Sequence, residues 1–307
     1  MRENKVIYGL IGYGGMGRWH TEILSNVPEI EIGGIYDIKE EKRIEAKEKG
    51  FSVYGSEEEM LSDPDIDVVL IATPNDCHKP IAIRAMHAGK NVISEKPVTL
   101  SSSDLQEMVN VAKETGKFLT VHQNRRWDDD FLIIRKLVEE QKLGHVFRIE
   151  SRVHGSRGIP GDWRKEKIHG GGMVLDWGVH LLDQILYLYG DRKIETVYAS
   201  LTHITNQEVD DGFTTILTFE GGTEVLVEVG TNNYISLPRW YVLGEDGTAV
   251  IRDWQLNGEI IRKTGKTEEK VAALPIDRRC FVCKIDNWGH AARGDWNGMR
   301  RMSIGEK

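Results

Sequence analysis

The chain has 307 residues, enough for one large or two ordinary domains. At that length folding buries roughly three quarters of the unfolded surface, so no disulfide or metal staple is needed. Forty Lys and Arg against forty-eight Asp and Glu leave a net charge of -8, with 40% hydrophobic and 29% charged residues, which excludes disorder, collagen and coiled coil. The acidic balance also argues against nucleic acid, since domains that read phosphates carry excess positive charge on one face. The longest apolar run, Val68 to Ala72, falls far short of the roughly 18 to 20 residues that cross a bilayer. The N-terminal run Val6 to Ile11 is too short for a secretory signal, and three cysteines make no disulfide framework. A cytoplasmic protein with a small-molecule partner is expected, without membrane or metal.

Short β-branched runs alternate with helical stretches over the first part of the chain. Lys5 to Gly12, Glu31 to Asp37, Asp67 to Ala72, Asn91 to Ser94 and Lys117 to Val121 read as strands. Between them, Gly15 to Asn26, Lys39 to Gly50, Asp76 to Gly89 and Ser102 to Gly116 read as helices, the last opened by Ser and Asp and closed by glycine. Such alternation predicts an α/β unit with a parallel sheet. After Asn124 the pattern changes. A helix at Asp129 to Gln141, a strand at Val146 to His154, a Gly-rich loop and a helix at Leu175 to Tyr189 precede strands in series: Tyr198 to Thr205, Phe213 to Glu220, Thr223 to Gly230, Arg239 to Gly244 and Thr248 to Asp253. Short turns such as Glu220-Gly221-Gly222 predict antiparallel pairing. The expected division is 1-122 and 123-307, the second part an α+β domain with a largely antiparallel open sheet.

Gly12-Tyr13-Gly14-Gly15-Met16-Gly17 follows the first strand and opens the first helix, the context a dinucleotide fingerprint requires. Gly12 permits the turn, Gly14 lets a pyrophosphate approach the backbone, Gly17 allows close helix-strand packing, and the helix N-terminus offers unpaired N–H donors. Asp37 ends the second strand about 20 residues after Gly17, the spacing of an acid that binds the adenosine ribose. Its charge would repel the 2′-phosphate of NADP, which favours NAD. Lys39, Lys42 and Arg43 lie close enough to soften that repulsion, so NADP stays open as the alternative. Lys96 sits where a parallel strand ends, at the carboxyl edge of the sheet, and Pro97 biases it to extended angles. Asp176 and His180 are four residues apart and share a helix face. There the carboxylate can orient the imidazole, and His180 can exchange a proton with a substrate hydroxyl.

These residues carry a resemblance. Gly12 to Gly17 with His20, Ala72-Thr73-Pro74-Asn75 with His78, Glu95-Lys96-Pro97, and Gly170-Gly171-Gly172 with Asp176 and His180 are similar to the motifs of the glucose-fructose oxidoreductase / inositol dehydrogenase (Gfo/Idh/MocA) family, over about residues 5 to 275. The resemblance implies an N-terminal Rossmann dinucleotide-binding domain and an NAD-dependent oxidoreductase acting on a secondary alcohol of a sugar, cyclitol or glycoside. The catalytic set it implies is Lys96, Asp176 and His180. Thr73, Pro74, Asn75, His78, Glu95, Lys96, Gln123, Trp163 and Arg164 then lie along the cofactor with the glycine loop and Asp37. Arg126 is a further candidate contact, and a homodimer or homotetramer is implied.

Other readings stay open. Oxidation could be transient, with tightly held NAD serving glycoside cleavage or epimerisation, or the chain could be a sensing regulator without turnover. The three glycines at 170 to 172 suit either close substrate approach or a flexible connection. Pro74 could simply break a strand, and His20 could be core or surface. Cys280-Phe281-Val282-Cys283 lacks the second pair a structural zinc site needs, and lone Cys77 reads as a packing residue. Residues 278 to 301, with six Lys and Arg, two Asp and Glu, Trp288 and Trp296, depart from the family's closing helix and are expected to be the least ordered part.

Overall fold

The computed structural model describes residues 5-263 and the backbone of Glu268–Glu269; Cys280, Cys283 and the tail from 278 lie outside the described residues. Among these residues the chain forms two compact units, one running up to His122 and the other starting at Gln123. No helix of the described residues is long and apolar enough to cross a membrane.

The first unit is a five-stranded parallel sheet of β1 (Val6–Ile11), β2 (Ile30–Tyr36), β3 (Val68–Ile71), β4 (Asn91–Ser94) and β5 (Leu119–Val121), in the order β2-β1-β3-β4-β5. Its helices are α1 (Gly15–Leu24), α2 (Glu40–Glu48), α3 (Glu57–Ser62), α4 (His78–His87) and α5 (Ser102–Thr115). Every side chain of β1 and β3 is buried, as expected of strands covered on both faces. Alternate residues of β1 go to opposite sides: Val6, Tyr8 and Leu10 pack with Leu24 and Ile35, whereas Ile7 and Ile11 pack with Met60, Ile81 and Met108. Ser101 caps α5 by accepting the Asp104 N–H, and Gly116 ends it in the left-handed region. Strand order reverses at β1, which opens a crevice at the carboxyl edge for a ligand.

The second unit contains α6 (Asp129–Glu139), β6 (Val146–His154), a π-helical turn (Val174–Gly178) and α7 (Val179–Tyr189). The strands that follow are β7 (Ile194–Thr202), β8 (Gly212–Phe219), β9 (Glu224–Gly230), β10 (Trp240–Gly244), β11 (Gly247–Ile251), β12 (Gly258–Arg262) and β13 (Glu268–Glu269). They form one sheet with β6, in the order β13-β12-β11-β10-β6-β9-β8-β7. Only β6 and β9 pair in parallel; the other pairings are antiparallel. Alternating residues Phe213, Leu217, Phe219, Val225, Val227 and Val229 meet Phe131 and Ile134 of α6 and Leu181 and Ile185 of α7 in one core.

Several elements differ from the sequence expectation, among them β7, which starts at Ile194 and not at Tyr198. The segment 76-89 begins as a 3-10 turn, Asn75–Cys77, before α4. The helix expected from Leu175 starts instead as the π-helical turn. Helix α3 and strands β12 and β13 were not anticipated.

Inside the second core sits a buried ion pair. Arg239 Nε lies 3.0 Å from Asp130 Oδ2, which also accepts the Trp240 indole N–H at 2.9 Å. Burial lowers the Arg239 pKa against the pull of Asp130, the signature of a charge that needs its partner. Asp130→Ala is expected to destabilise this unit by about 3 to 5 kcal/mol, and Asp130→Leu with Arg239→Met to recover part of it. Urea unfolding followed by tryptophan fluorescence checks both.

Candidate functional site

The glycine loop begins where β1 ends. Gly12 adopts φ +96, and a Cβ there would sit 2.5 Å from the Ala72 carbonyl oxygen; a Cβ on Gly17 would lie 2.1 Å from the Gly12 carbonyl oxygen. Those two glycines are therefore fixed by the turn and by the approach of α1 to β1. Gly14 and Gly15 differ, because a Cβ on either would meet nothing within 4 Å. Space opens there in front of the first turn of α1, whose N-terminus has no side-chain cap. Free N–H donors facing an open glycine surface suit a pyrophosphate. Met16 is half-buried in the same turn.

Asp37 sits just past β2 and holds the loop. Oδ2 accepts the Tyr13 N–H at 2.7 Å and Oδ1 accepts the Lys39 N–H at 2.8 Å. Both oxygens are anchored with lone pairs to spare, so the carboxylate stays directed where a ribose diol would donate. Arg43 Nη1 donates to the carbonyls of Asp37 and Ile38 at 2.6 and 3.2 Å. Lys42 is instead taken by Glu45 at 2.8 Å. Tyr13 corrects the expectation of a cofactor contact: its ring is sealed in the core against Phe51, and its N–H belongs to Asp37.

Two further expected contacts prove to be internal supports. His78 is fully buried, its Nδ1 2.8 Å from the Pro97 carbonyl and its Nε2 3.0 Å from the Thr73 carbonyl. It therefore ties the Thr73-Pro74-Asn75 bend to the Glu95-Lys96-Pro97 bend and does not face a ligand. Burial lowers its pKa, with the two carbonyls opposing. Glu95 is likewise buried and accepts from His20 Nε2 at 2.7 Å and His122 Nδ1 at 2.9 Å. His20 is thus a core residue. Thr73, Pro74 and Lys96 are half-buried at the carboxyl ends of β3 and β4, and Asn75 is buried.

In the second unit Asp176 lies on the π-helical turn and His180 on the first turn of α7. Four residues span about one turn in either helix type, so the two share a face. Asp176 has a partner that the sequence reading did not assign, since Arg164 Nε donates to its Oδ1 at 3.3 Å. Arg164 is held further by Asp162 at 2.6 Å and lies over the Trp163 ring at 4.6 Å. Gln123 donates to the carbonyl of Val179 at 3.0 Å, next to His180. Arg126 forms a two-point pair with Asp183 at 2.7 and 2.5 Å, so its guanidinium is committed to α7. Asp210, which the sequence reading missed, accepts the Val174 N–H at 2.9 Å. A Cβ on Gly172, at φ +101, would collide with Asp210 Oδ1 at 2.2 Å; close packing explains this glycine.

Known proteins share this architecture. Residues 6–123 match a family described as "Oxidoreductase family, NAD-binding Rossmann fold", and residues 131–250 match the "GFO/IDH/MocA C-terminal domain". The chain belongs to the Gfo/Idh/MocA oxidoreductase family and carries its NAD-binding fold. It is 37% identical over 190 residues to the uncharacterized oxidoreductase YdgJ of Escherichia coli, a match covering 61% of this chain and 55% of that protein. It is 30% identical to the scyllo-inositol 2-dehydrogenase (NADP(+)) IolW of Bacillus subtilis, over 79% of this chain and 67% of that one. The chain therefore spans between about half and two thirds of these relatives' length. A solved NAD-binding protein from Listeria innocua superposes with a TM-score of 0.84 at 49% identity, over 92% of this chain and 87% of that one.

Replacing Asp37 by Ala would remove the proposed ribose acceptor and the repulsion toward a 2′-phosphate together. The ratio of NADH to NADPH affinity should fall by about tenfold or more. Fluorescence titration of the reduced cofactors measures it, and an unchanged ratio contradicts the role.

Proposed function

We propose that this protein is an NAD-dependent dehydrogenase that oxidises a secondary alcohol of a sugar, cyclitol or glycoside. The observation that supports this best is how the turn before His180 is built. Gln123 holds the Val179 carbonyl, Asp210 holds the Val174 N–H, and Arg164 holds Asp176. Side chains from three separate segments thus fix a short π-helical turn and the first residue of α7 after it, and such turns are frequent at functional sites. Such support keeps an acid/base group in one orientation.

In this reading the first unit binds the cofactor and the second the substrate. Gly14, Gly15 and the first turn of α1 would hold the pyrophosphate, Asp37 the adenosine ribose, and Thr73 and Lys96 the far half of the cofactor. Bound NAD supplies the hydride acceptor. His180 would take the hydroxyl proton as the carbinol hydrogen leaves, Asp176 would stabilise the resulting imidazolium, and Lys96 is the catalytic group proposed from the first unit. Trp163 and Arg164 complete the substrate end. The similarity to an inositol dehydrogenase supports a polyol as the substrate class. Self-association as a dimer or tetramer is part of the proposal: Val197, Tyr198 and Leu201 of the outer strand β7 are exposed, an apolar edge that a second copy would cover.

Absorbance at the NADH band across a panel of inositols, sugars and glycosides should find a substrate. With it, His180→Ala and Lys96→Met should each lower kcat by about 10² to 10⁴-fold, and His180→Ala should change the NADH dissociation constant by less than about threefold. Near-normal turnover in both variants refutes the assignment.

A further inference from the structure

Behind the Lys96 bend, three side chains from separate elements of the first unit converge in a buried cluster. His20 comes from α1, Glu95 follows β4 and His122 follows β5. Both imidazoles reach the same carboxylate oxygen, His20 Nε2 at 2.7 Å and His122 Nδ1 at 2.9 Å from Oε1. The other oxygen, Oε2, accepts the Lys96 N–H at 3.2 Å. The two rings meet edge to face at 4.7 Å, and Trp19 packs on both at 5.1 and 5.7 Å. All three clustered residues are buried, with Glu95 only 5% exposed.

The chemistry of this cluster is that of a trapped anion. Burial alone would drive the Glu95 proton affinity up, yet the attraction and hydrogen bond of His122 and the hydrogen bond of His20 hold the carboxyl well below the usual range. Burial lowers the pKa of His20, and a neutral imidazole still has one N–H to give. With both imidazoles neutral, the cluster carries a fixed negative charge with three N–H donors aimed at it. Taking a carboxylate out of water is costly unless something is gained.

Its place in the sheet indicates what the charge acts on. Asp37 at the end of β2 marks the adenosine side of the crevice and the glycine loop after β1 marks the pyrophosphate. A dinucleotide spanning the switch point continues over the ends of β3 and β4. Glu95 lies at the end of β4. The ring at that end of the cofactor is cationic when oxidised and neutral when reduced, so a fixed anion distinguishes the two states.

We propose that Glu95 sets this protein's preference for oxidised over reduced cofactor, with His20 and His122 as positioning residues that hold its carboxylate under the Lys96 bend. The proposal rests on the cofactor fold and is independent of the alcohol substrate proposed above. Because the charge favours the cationic ring, it makes the bound reduced cofactor the stronger hydride donor and the more readily released form.

The test is direct titration of the full chain with NAD⁺ and NADH at pH 8 by isothermal calorimetry, which needs no substrate. Glu95→Gln should weaken NAD⁺ by about tenfold, the effect of removing one nearby partly screened charge, and change NADH by less than about threefold. Glu95→Asp keeps the charge and should keep the NAD⁺/NADH ratio within about threefold of the original. A parallel loss of both cofactors in Glu95→Gln, or an unchanged ratio, overturns the proposal. Should Glu95→Gln fail to fold, the unaltered chain decides: benzamide adenine dinucleotide, whose ring is the same shape but uncharged, should bind about tenfold more weakly than NAD⁺. Equal binding overturns the proposal, as does a stoichiometric metal ion on the purified protein bound by His20, Glu95 and His122, since it would cancel the charge. Failure of the unaltered chain to bind either cofactor would overturn the cofactor site itself, separately from any result on substrates.

Discussion

A buried carboxylate must be satisfied on every side, and in this protein that requirement determines how the carboxyl edge of the parallel sheet is assembled. Glu95 draws one donor from α1, one from the end of β5 and one from its own backbone neighbour. The helix that follows the glycine loop, the Lys96 bend and the end of the first unit are thereby joined at one point. A few residues away His78 stands between the carbonyls of Thr73 and Pro97, and its neutral ring can donate its one N–H to either of them. Lys96 is consequently held from both sides, by Glu95 before it and Pro97 after it. Polar groups that would be expensive alone become rigid when every member is satisfied.

Asp37 shows the same economy of means. Its carboxylate is a structural anchor for the Tyr13 and Lys39 amides and also, in the proposed reading, the group that would face a ribose. Because the two roles share one side chain, cofactor choice is tied to the shape of the glycine loop. Arg43 nearby is engaged only by backbone carbonyls, which leaves its positive charge without a carboxylate among the described residues. That charge offsets part of the repulsion a 2′-phosphate would feel, consistent with a family that includes an NADP⁺-linked relative.

Much of the fold was legible because its signals are local. Gly12 to Gly17 directly after an apolar strand, Asp37 at the right distance, and the strands β8 to β11 joined in series each follow from a period or a turn. Helix α3 is six residues long, too short for a periodic signal. Its one clear mark, Ser56 accepting the Glu59 N–H at 3.1 Å while Glu59 accepts the Gly55 N–H at 2.6 Å, is a capping pair that the sequence does carry. The site was legible in its motifs and not in its partners. Nothing in the spacing of His20, Glu95 and His122 shows that they meet, since 75 and 27 residues separate the hydrogen-bonded pairs. Likewise Asp176 and His180 are visible as a spacing, whereas Arg164 and Asp210 join that turn through tertiary packing. Tyr13 and His78 were misassigned for one reason: a motif residue can serve the motif by supporting it from the inside.

The central claim is that the cofactor runs along the carboxyl edge of the first unit, from Asp37 past the glycine loop to the Glu95-Lys96-Pro97 bend. Amide hydrogen exchange with and without NADH tests it most directly. Slowed exchange is predicted in peptides covering residues 12-18, 37-39, 72-78 and 94-98. Slowing that spares 94-98 while the glycine loop is protected, or that falls only on residues after 123, would contradict it.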